Sequence, residues 1–278
     1  DRDDVRAYAD VVHAAVHIHR GEWDAALARI DDELGHRRRM GDWRAEVLTL
    51  TQGHFTELLR GDMAGALQFL DQLEQLERRL AAARPFWGAR CLRAQLDLRS
   101  GDLEHAAAAL AEADAQLTTG RDQGFAVIVD GLGAVCALRQ GDRPLARRRA
   151  DAALARLLAS PPIHYGLLEI PPAVHEVYGE LWAASDDPHE RATLAAQTER
   201  CLAALRRFAI NVVIVRPRAL LCHGRWAELR GHPRRAAWYF TKALALADEL
   251  HMPFEQALAH AALARLAPAT EHARLATD

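Results

Sequence analysis

Two histidines near the start of the chain have the spacing of metal ligands. His13 and His17 are four residues apart, so both lie on one face of a helix, where a zinc ion could use them. No third ligand follows at an evident spacing, and His175-Glu176 lacks the second histidine of the H-E-x-x-H motif of zinc proteases. We therefore predict no metal site and no bound cofactor.

The cysteines also lack a catalytic or metal-binding pattern. They are four in number and form no C-x-x-C pair: Cys91, Cys136, Cys201 and Cys222. Cys222 is followed by His223, but adjacent residues on a helix point in different directions. We predict buried, reduced thiols in a cytoplasmic protein without enzymatic activity.

Charge and hydropathy exclude two further classes of protein. Arginine runs occur at 37–39, 147–149 and 234–235, but the net charge is −3, so the chain has no general basic field for nucleic acid. We interpret these runs as solvated helix faces. No apolar stretch reaches the roughly 18 residues that a membrane span needs. We predict neither nucleic-acid nor membrane binding.

The elements that carry these residues are helices. Half of the residues are apolar but only 6% are aromatic, and good helix formers dominate. The clearest β-branched run, at 212–215, stands alone, whereas a sheet needs several such runs. The composition predicts an all-α fold.

A repeat of about 40 residues organises the chain. Each unit has a glycine, an acid directly after it, and an alanine five positions after the glycine. The glycines are Gly21, Gly61, Gly101 and Gly141, the acids Glu22, Asp62, Asp102 and Asp142, and the alanines Ala26, Ala66, Ala106 and Ala146. A fifth glycine, Gly231, is followed five positions later by Ala236. Between these units Asp187 takes the place of glycine, with Ala192 five positions later, so the total is six units.

The chemistry of this unit is that of a turn between two helices. Glycine ends the first helix in the left-handed conformation, the acid caps the second helix, and the small alanine lets the two helices cross closely. We predict helices at 4–19, 22–39, 43–60, 63–82, 86–99, 103–118, 124–140, 143–159, 171–185, 188–208, 213–230, 233–250 and 254–267. Pairs that contact only their neighbours stack into a right-handed superhelix of about six units, and the last helix serves as a cap.

We expect one continuous solenoid with three regions. Regular repeats occupy 1–159, a proline-rich bend occupies 160–172, and two less regular repeats with the capping helix occupy 173–278. Because the chain opens at Asp1, we also expect it to be a segment of a longer protein.

The turn motif resembles that of a known repeat family. Residues 21–27 (Gly-Glu-Trp-Asp-Ala-Ala-Leu) resemble the Gly-x-aromatic-x-x-Ala-Leu signature of tetratricopeptide repeats, and so does the last unit, with Gly231, Ala236, Phe240 and Ala243. The period of 40 exceeds the usual 34. Residues 243–259 are similar to the end of the sensor arms of bacterial LuxR-type activators and ATPase-linked nucleotide cyclases. This resemblance implies an arm that recognises an inducer or partner and relays binding to an ATPase, although the sequence carries no phosphate-loop motif.

The first helix of each pair is apolar on more sides than the second and should line the concave face. Its polar or aromatic exceptions are our candidate binding residues: Tyr8, Thr51, Phe55, Gln95, Arg99, Arg139, Arg218 and Arg225. Arg99 and Arg139 are 40 residues apart, so they occupy equivalent places in adjacent repeats. They form either a ladder that faces a polar ligand or ion pairs with acids of neighbouring repeats.

Two functional hypotheses follow. In the first, the chain is the sensor module of a larger bacterial regulator and binds a protein, a peptide or a small-molecule effector on its concave face. In the second, it is an assembly scaffold or accessory protein that clamps a peptide and transmits no signal.

Overall fold

The computed structural model describes residues 12–80, 88–117, 123–160 and 164–266, and these ranges are helical without any strand. Helix α1 covers 12–20 of the described residues. It is followed by α2 (Trp23–Met40), α3 (Trp43–Arg60), α4 (Met63–Leu80), α5 (Gly88–Ser100), α6 (Leu103–Gln116), α7 (Gln123–Arg139), α8 (Arg143–Ala159), α9 (Ile170–Ala184), α10 (Pro188–Asn211), α11 (Arg216–Leu229), α12 (Pro233–Glu249) and α13 (Pro253–Leu266). Short 3-10 turns at Tyr165–Leu167 and Val213–Val215 precede α9 and α11. Successive helices pack as pairs, which confirms the all-α fold of stacked helix pairs.

The turns within the pairs have the predicted conformation. Gly21, Gly61, Gly101, Gly141 and Gly231 all have φ between 75° and 89°, the left-handed region that favours glycine. The acids after the second, third and fourth of these glycines cap the next helix. In each case a carboxylate oxygen accepts the backbone N–H three residues further on, at 2.8–3.1 Å. The alanines of these five units are fully buried, so the helices do cross closely there.

Three units depart from the pattern. In the last unit His232 takes the place of the acid and makes no side-chain cap. Glu22 caps no N–H, and its Oε2 lies 2.5 Å from Nδ1 of His17 instead. Asp187 does not replace glycine, because its φ is −77°. It is the N-cap of α10 and accepts the N–H of His189 at 2.9 Å. Ala192 is exposed, and the side chain that packs into the core from this helix turn is Leu194. The fifth unit therefore turns by a different local geometry from the others.

The expectation that each pair contacts only its neighbours was wrong. The turn between α12 and α13 reaches back to the first two pairs: Nε1 of Trp23 donates to the carbonyl of Leu250 at 2.8 Å. Pro253 packs so tightly on Gly61 that a Cβ atom there would lie 2.3 Å from Cγ of the proline. We name these four residues the closing contact. One apolar cluster accordingly runs from Ala14 to Met252 and joins early and late repeats.

The four cysteines are buried and free, as predicted. Burial raises the pKa of the thiols of Cys91 and Cys222 to about 12, so the reactive thiolate form is scarce at neutral pH. Within the described ranges, no helix combines the length and the apolar character needed to cross a membrane.

Candidate functional site

The first helices of four pairs and the capping helix line a common cavity on the inner surface. Its volume is about 300 Å³, and its walls come from α5, α7, α9, α11 and α13. Four of the candidate residues line this central cavity: Gln95, Arg99, Arg139 and Arg218. Residues predicted separately, on three different helices, thus lie around one space.

A second cavity of about 510 Å³ adjoins the central one and is formed by α9, α11, α12 and α13. We name it the distal cavity. Pro172, Glu176 and Arg218 line both cavities, and Arg225 lines the distal one. Apolar side chains such as Leu221 and Leu258 form much of its wall, so it combines an apolar surface with a polar rim.

The arginines between the two cavities belong to a buried ion cluster. Arg99 donates to the carboxylate of Glu169 and, through Nη1, to the carbonyl of Leu58 at 2.9 Å. Nη2 of Arg218 lies 3.3 Å from Oε1 of the same Glu169 and 2.6 Å from Oε1 of Glu255. This cluster joins α5, α11 and α13 to the N-terminal end of α9.

The ring of Phe254 completes the cluster. The guanidinium carbons of Arg99 and Arg218 lie 4.4 Å and 5.1 Å from its ring centroid, within the range of cation–π attraction. Nε of Arg218 and Oε2 of Glu255 are buried with no hydrogen-bond partner among the described residues. The cluster therefore has spare hydrogen-bonding capacity beside the cavities.

Glu169 is ionised despite its burial. Burial alone would raise the pKa of its carboxyl, but the adjacent Arg218 and Arg99 lower this pKa to about 2. Burial would also lower the pKa of the Arg218 guanidinium, but Glu169 and Glu255 raise it above its ordinary value. The arginines and the carboxylates of the cluster thus stabilise each other's charged forms.

Two further ion pairs are more accessible. Arg139 pairs with Glu176 at 3.2 Å, and Arg225 pairs with Glu180 at 2.8 Å. These four side chains are 34–46% exposed, against 5% for Arg99 and 9% for Arg218. Because solvent screens an exposed pair, its members can change partners at little cost when a ligand arrives.

The other candidate residues lie elsewhere. Oγ1 of Thr51 donates to the carbonyl of Val47 at 2.8 Å, and Phe55 is buried with its ring edge-to-face on Tyr165, 5.4 Å between centroids. Neither lines one of the two inner cavities. Tyr8 lies outside the described residues.

Sequence reasoning missed the acidic half of this site. Glu169 lies within the proline-rich bend. Glu176 and Glu180 are spaced i, i+4 on α9, which could have been recognised as one acidic face. Glu255 is fully buried and had no distinguishing signal in the sequence.

The histidine pair near the start of the chain does not form a metal centre with other described residues. Nδ1 of His13 lies 3.3 Å from Nη2 of Arg29, and Nδ1 of His17 contacts the carboxylate of Glu22. In the part of the chain that the structure describes, no three histidine, cysteine or acidic side chains are grouped to hold a metal ion.

The sequence matches no protein-family model and no curated protein. Among solved structures, it is similar to the crystal structure of PilW, a widely conserved type IV pilus biogenesis factor. The identity is 17% and the TM-score 0.46, over 86% of this chain and 92% of that chain.

Proposed function

We propose that this chain is a non-catalytic interaction and sensor module that binds an effector on its concave face. The observation that carries the proposal is the pair of adjoining cavities, lined by inner-helix residues at repeat-equivalent positions such as Arg99 and Arg139. We propose that the predicted residues lining these cavities bind the effector: Gln95, Arg99, Arg139, Arg218 and Arg225. Tyr8, Thr51 and Phe55 stay predictions.

The chemistry of the walls favours a ligand with both hydrogen-bond donors and acceptors. Every arginine that lines the two cavities has a carboxylate within 4 Å among the described residues, so neither sign of charge dominates. A peptide or a polar small molecule can form new hydrogen bonds with both members of the exposed pairs Arg139–Glu176 and Arg225–Glu180. Its apolar part can pack on Leu221 and Leu258 in the distal cavity.

The closing contact favours a compact effector over a long clamped peptide. An open solenoid offers a continuous groove, whereas here the α12–α13 turn joins the first repeats and bounds the inner space. Cavities of about 300 and 510 Å³ lie in the usual range for small ligands or a few side chains. This supports the sensor hypothesis over the scaffold hypothesis.

We further propose that the module works within a larger bacterial regulator and that binding is relayed through the closing contact. The relay has a physical route, because Arg218 lines both cavities while its partner Glu255 lies two residues from Pro253. A ligand that alters the ion cluster would shift the turn that touches Gly61.

Photo-crosslinking tests the binding face. A benzoylphenylalanine residue replaces Leu258 or Arg139 on the inner face, and Arg148 on the outer face of α8 serves as the matched control. We expect crosslinked product in cells from the inner positions and at least tenfold less when Arg225→Ala is added. Product from the Arg148 position alone would contradict the proposal.

Hydrogen exchange separates the sensor from the scaffold. With the crosslinked partner or effector identified and added, a sensor should change the exchange protection of the backbone around Trp23 and Leu250. A change confined to α9, α11 and α13 would favour a scaffold without signalling.

A further inference from the structure

A third cavity lies on the other side of the last repeats, between α10, α11 and α12. Its volume is about 510 Å³, and we name it the lateral cavity. Two arginines, one histidine, one tyrosine and several aliphatic side chains line it, among them Arg206, Arg216, His223, Tyr239, Leu220 and Leu246. None of the inner-face candidate residues belongs to it.

The lateral cavity has a one-sided charge. No aspartate or glutamate lines it, and neither Arg206 nor Arg216 has a carboxylate within 4 Å among the described residues. Nε of Arg216 donates to the carbonyl of Ala209 at 3.2 Å, which leaves its Nη groups available. Unneutralised arginines beside an apolar cavity attract an anion, because there is no internal carboxylate to displace.

His223 adds a polar group at the cavity wall. Its ring stacks on that of Tyr239, with 5.4 Å between the centroids and 20° between the planes. Burial lowers the pKa of the imidazole, the charge of Arg206 lowers it further, and Glu199 opposes this. The neutral ring has its buried Nε2 without a hydrogen-bond partner among the described residues, although buried polar atoms are rarely left unpaired.

We propose that the lateral cavity binds a small organic anion that has one carboxylate or phosphate group on an apolar body. Arg206 and Arg216 hold the anionic group, and Nε2 of His223 makes a hydrogen bond to the ligand. Tyr239, Leu220 and Leu246 pack against the apolar body. The volume fits one small molecule. This site is separate from the inner cavities and does not depend on the function proposed for them.

Titration calorimetry with three naphthalene probes tests the class of ligand. We expect 1-naphthoate and 1-naphthyl phosphate to bind, and uncharged 1-naphthol to bind at least tenfold more weakly, since it lacks the anionic group. The tighter of the two anions identifies the natural head group as a carboxylate or a phosphate. Equal binding of 1-naphthol, or binding of a hexaglutamate peptide and of neither naphthyl anion, would overturn the proposal.

Variants locate the binding site. Arg206→Gln and Arg216→Gln should each weaken the anions about ten- to a hundredfold, the effect of losing one charge-assisted hydrogen bond. Leu220→Trp should also reduce binding by filling the cavity. The matched control Arg148→Gln, an exposed arginine on α8, should bind as the unaltered protein does. If both arginine variants keep full affinity while their thermal melts are unchanged, the anion does not bind in the lateral cavity.

Discussion

Arg216 and Arg218 are two positions apart on helix α11, yet their surroundings are opposite. Arg218 is 9% exposed and lies against the carboxylates of Glu169 and Glu255 on the inner side. Arg216 is exposed on the lateral side and has no carboxylate partner among the described residues. Side chains two positions apart on a helix point about 200° away from each other, so one short segment contributes to both the inner and the lateral surface.

This difference separates two roles of arginine in a repeat protein. A buried arginine with two carboxylates holds repeats together, because removing any member leaves an unpaired charge in a medium that cannot solvate it. An exposed arginine without a partner contributes little to folding and is available to a ligand. Burial and the number of carboxylate partners, more than residue type, therefore decide how strongly an arginine contributes to stability.

The largest effect should come from breaking the buried cluster. Arg218→Ala leaves Glu169 and Glu255 without this partner, and we expect the free energy of unfolding to fall by about 3–5 kcal/mol. Urea unfolding followed by circular dichroism measures this loss. Arg216→Ala on the same helix is the control and should change the free energy of unfolding by less than about 0.5 kcal/mol.

A double variant sharpens the same point. Arg218→Met combined with Glu255→Gln removes one charge of each sign and leaves the Arg99–Glu169 pair in place, so it should recover much of the stability lost in Arg218→Ala. If Arg218→Ala is as stable as its control, the cluster does not hold the repeats together.

A smaller effect should appear as acid sensitivity. The pKa of Glu169 is about 2 in the folded protein and about 4.5 in the unfolded chain, so its ionised form favours the folded state above pH 4.5. Its contribution, on the order of 3 kcal/mol, should be lost as the pH falls from about 4.5 to 2. Glu169→Gln should be less stable than the unaltered protein at pH 7. Its free energy of unfolding should also fall less between about pH 4.5 and 2. The control Glu180→Gln, in an exposed pair, should keep the acid transition of the unaltered protein. Parallel pH profiles for both variants would contradict the role of Glu169.

The smallest effect should distinguish the exposed pair from the unpaired arginine. Arg225→Ala breaks partly exposed ion pairs with Glu180 and Glu228, and we expect a loss of about 0–1 kcal/mol in the free energy of unfolding. Arg216→Ala removes no ion pair and should change stability by less than about 0.5 kcal/mol in either direction. Thermal melts at 50 mM and 500 mM salt measure both, and added salt should reduce the loss in Arg225→Ala. A loss above 2 kcal/mol for Arg216→Ala would mean that this arginine is structural.

The sequence predicted what repeats locally and missed what depends on distant packing. Gly61 and Asp62 could be interpreted from spacing alone, because a left-handed residue followed by a cap has the same physical cause in every unit. Asp187 and Ala192 kept the spacing but not the geometry, since an aspartate before a proline forms an N-cap without a left-handed residue.

The site residues also divide into those that the repeat predicts and those that it does not. Arg99 and Arg139 were found because a period of 40 places them on one surface, and both line the central cavity. Their partners Glu169 and Glu176 come from another part of the chain, and no period links them to the arginines. Arg206 and Arg216 flank a break in the helical pattern at 212–215. The other repeats have no equivalent positions there, so the period could not identify these two arginines.

The closing contact also determines when the fold can be completed during synthesis. The indole of Trp23 bonds to a carbonyl 227 residues further along the chain. At about 5–20 residues per second, a ribosome adds that length in roughly 10–45 s. Until then the early helix pairs have their mutual contacts but not the α12–α13 turn that covers Gly61. The first repeats of this protein therefore have the longest delay between their synthesis and the formation of their last native contacts.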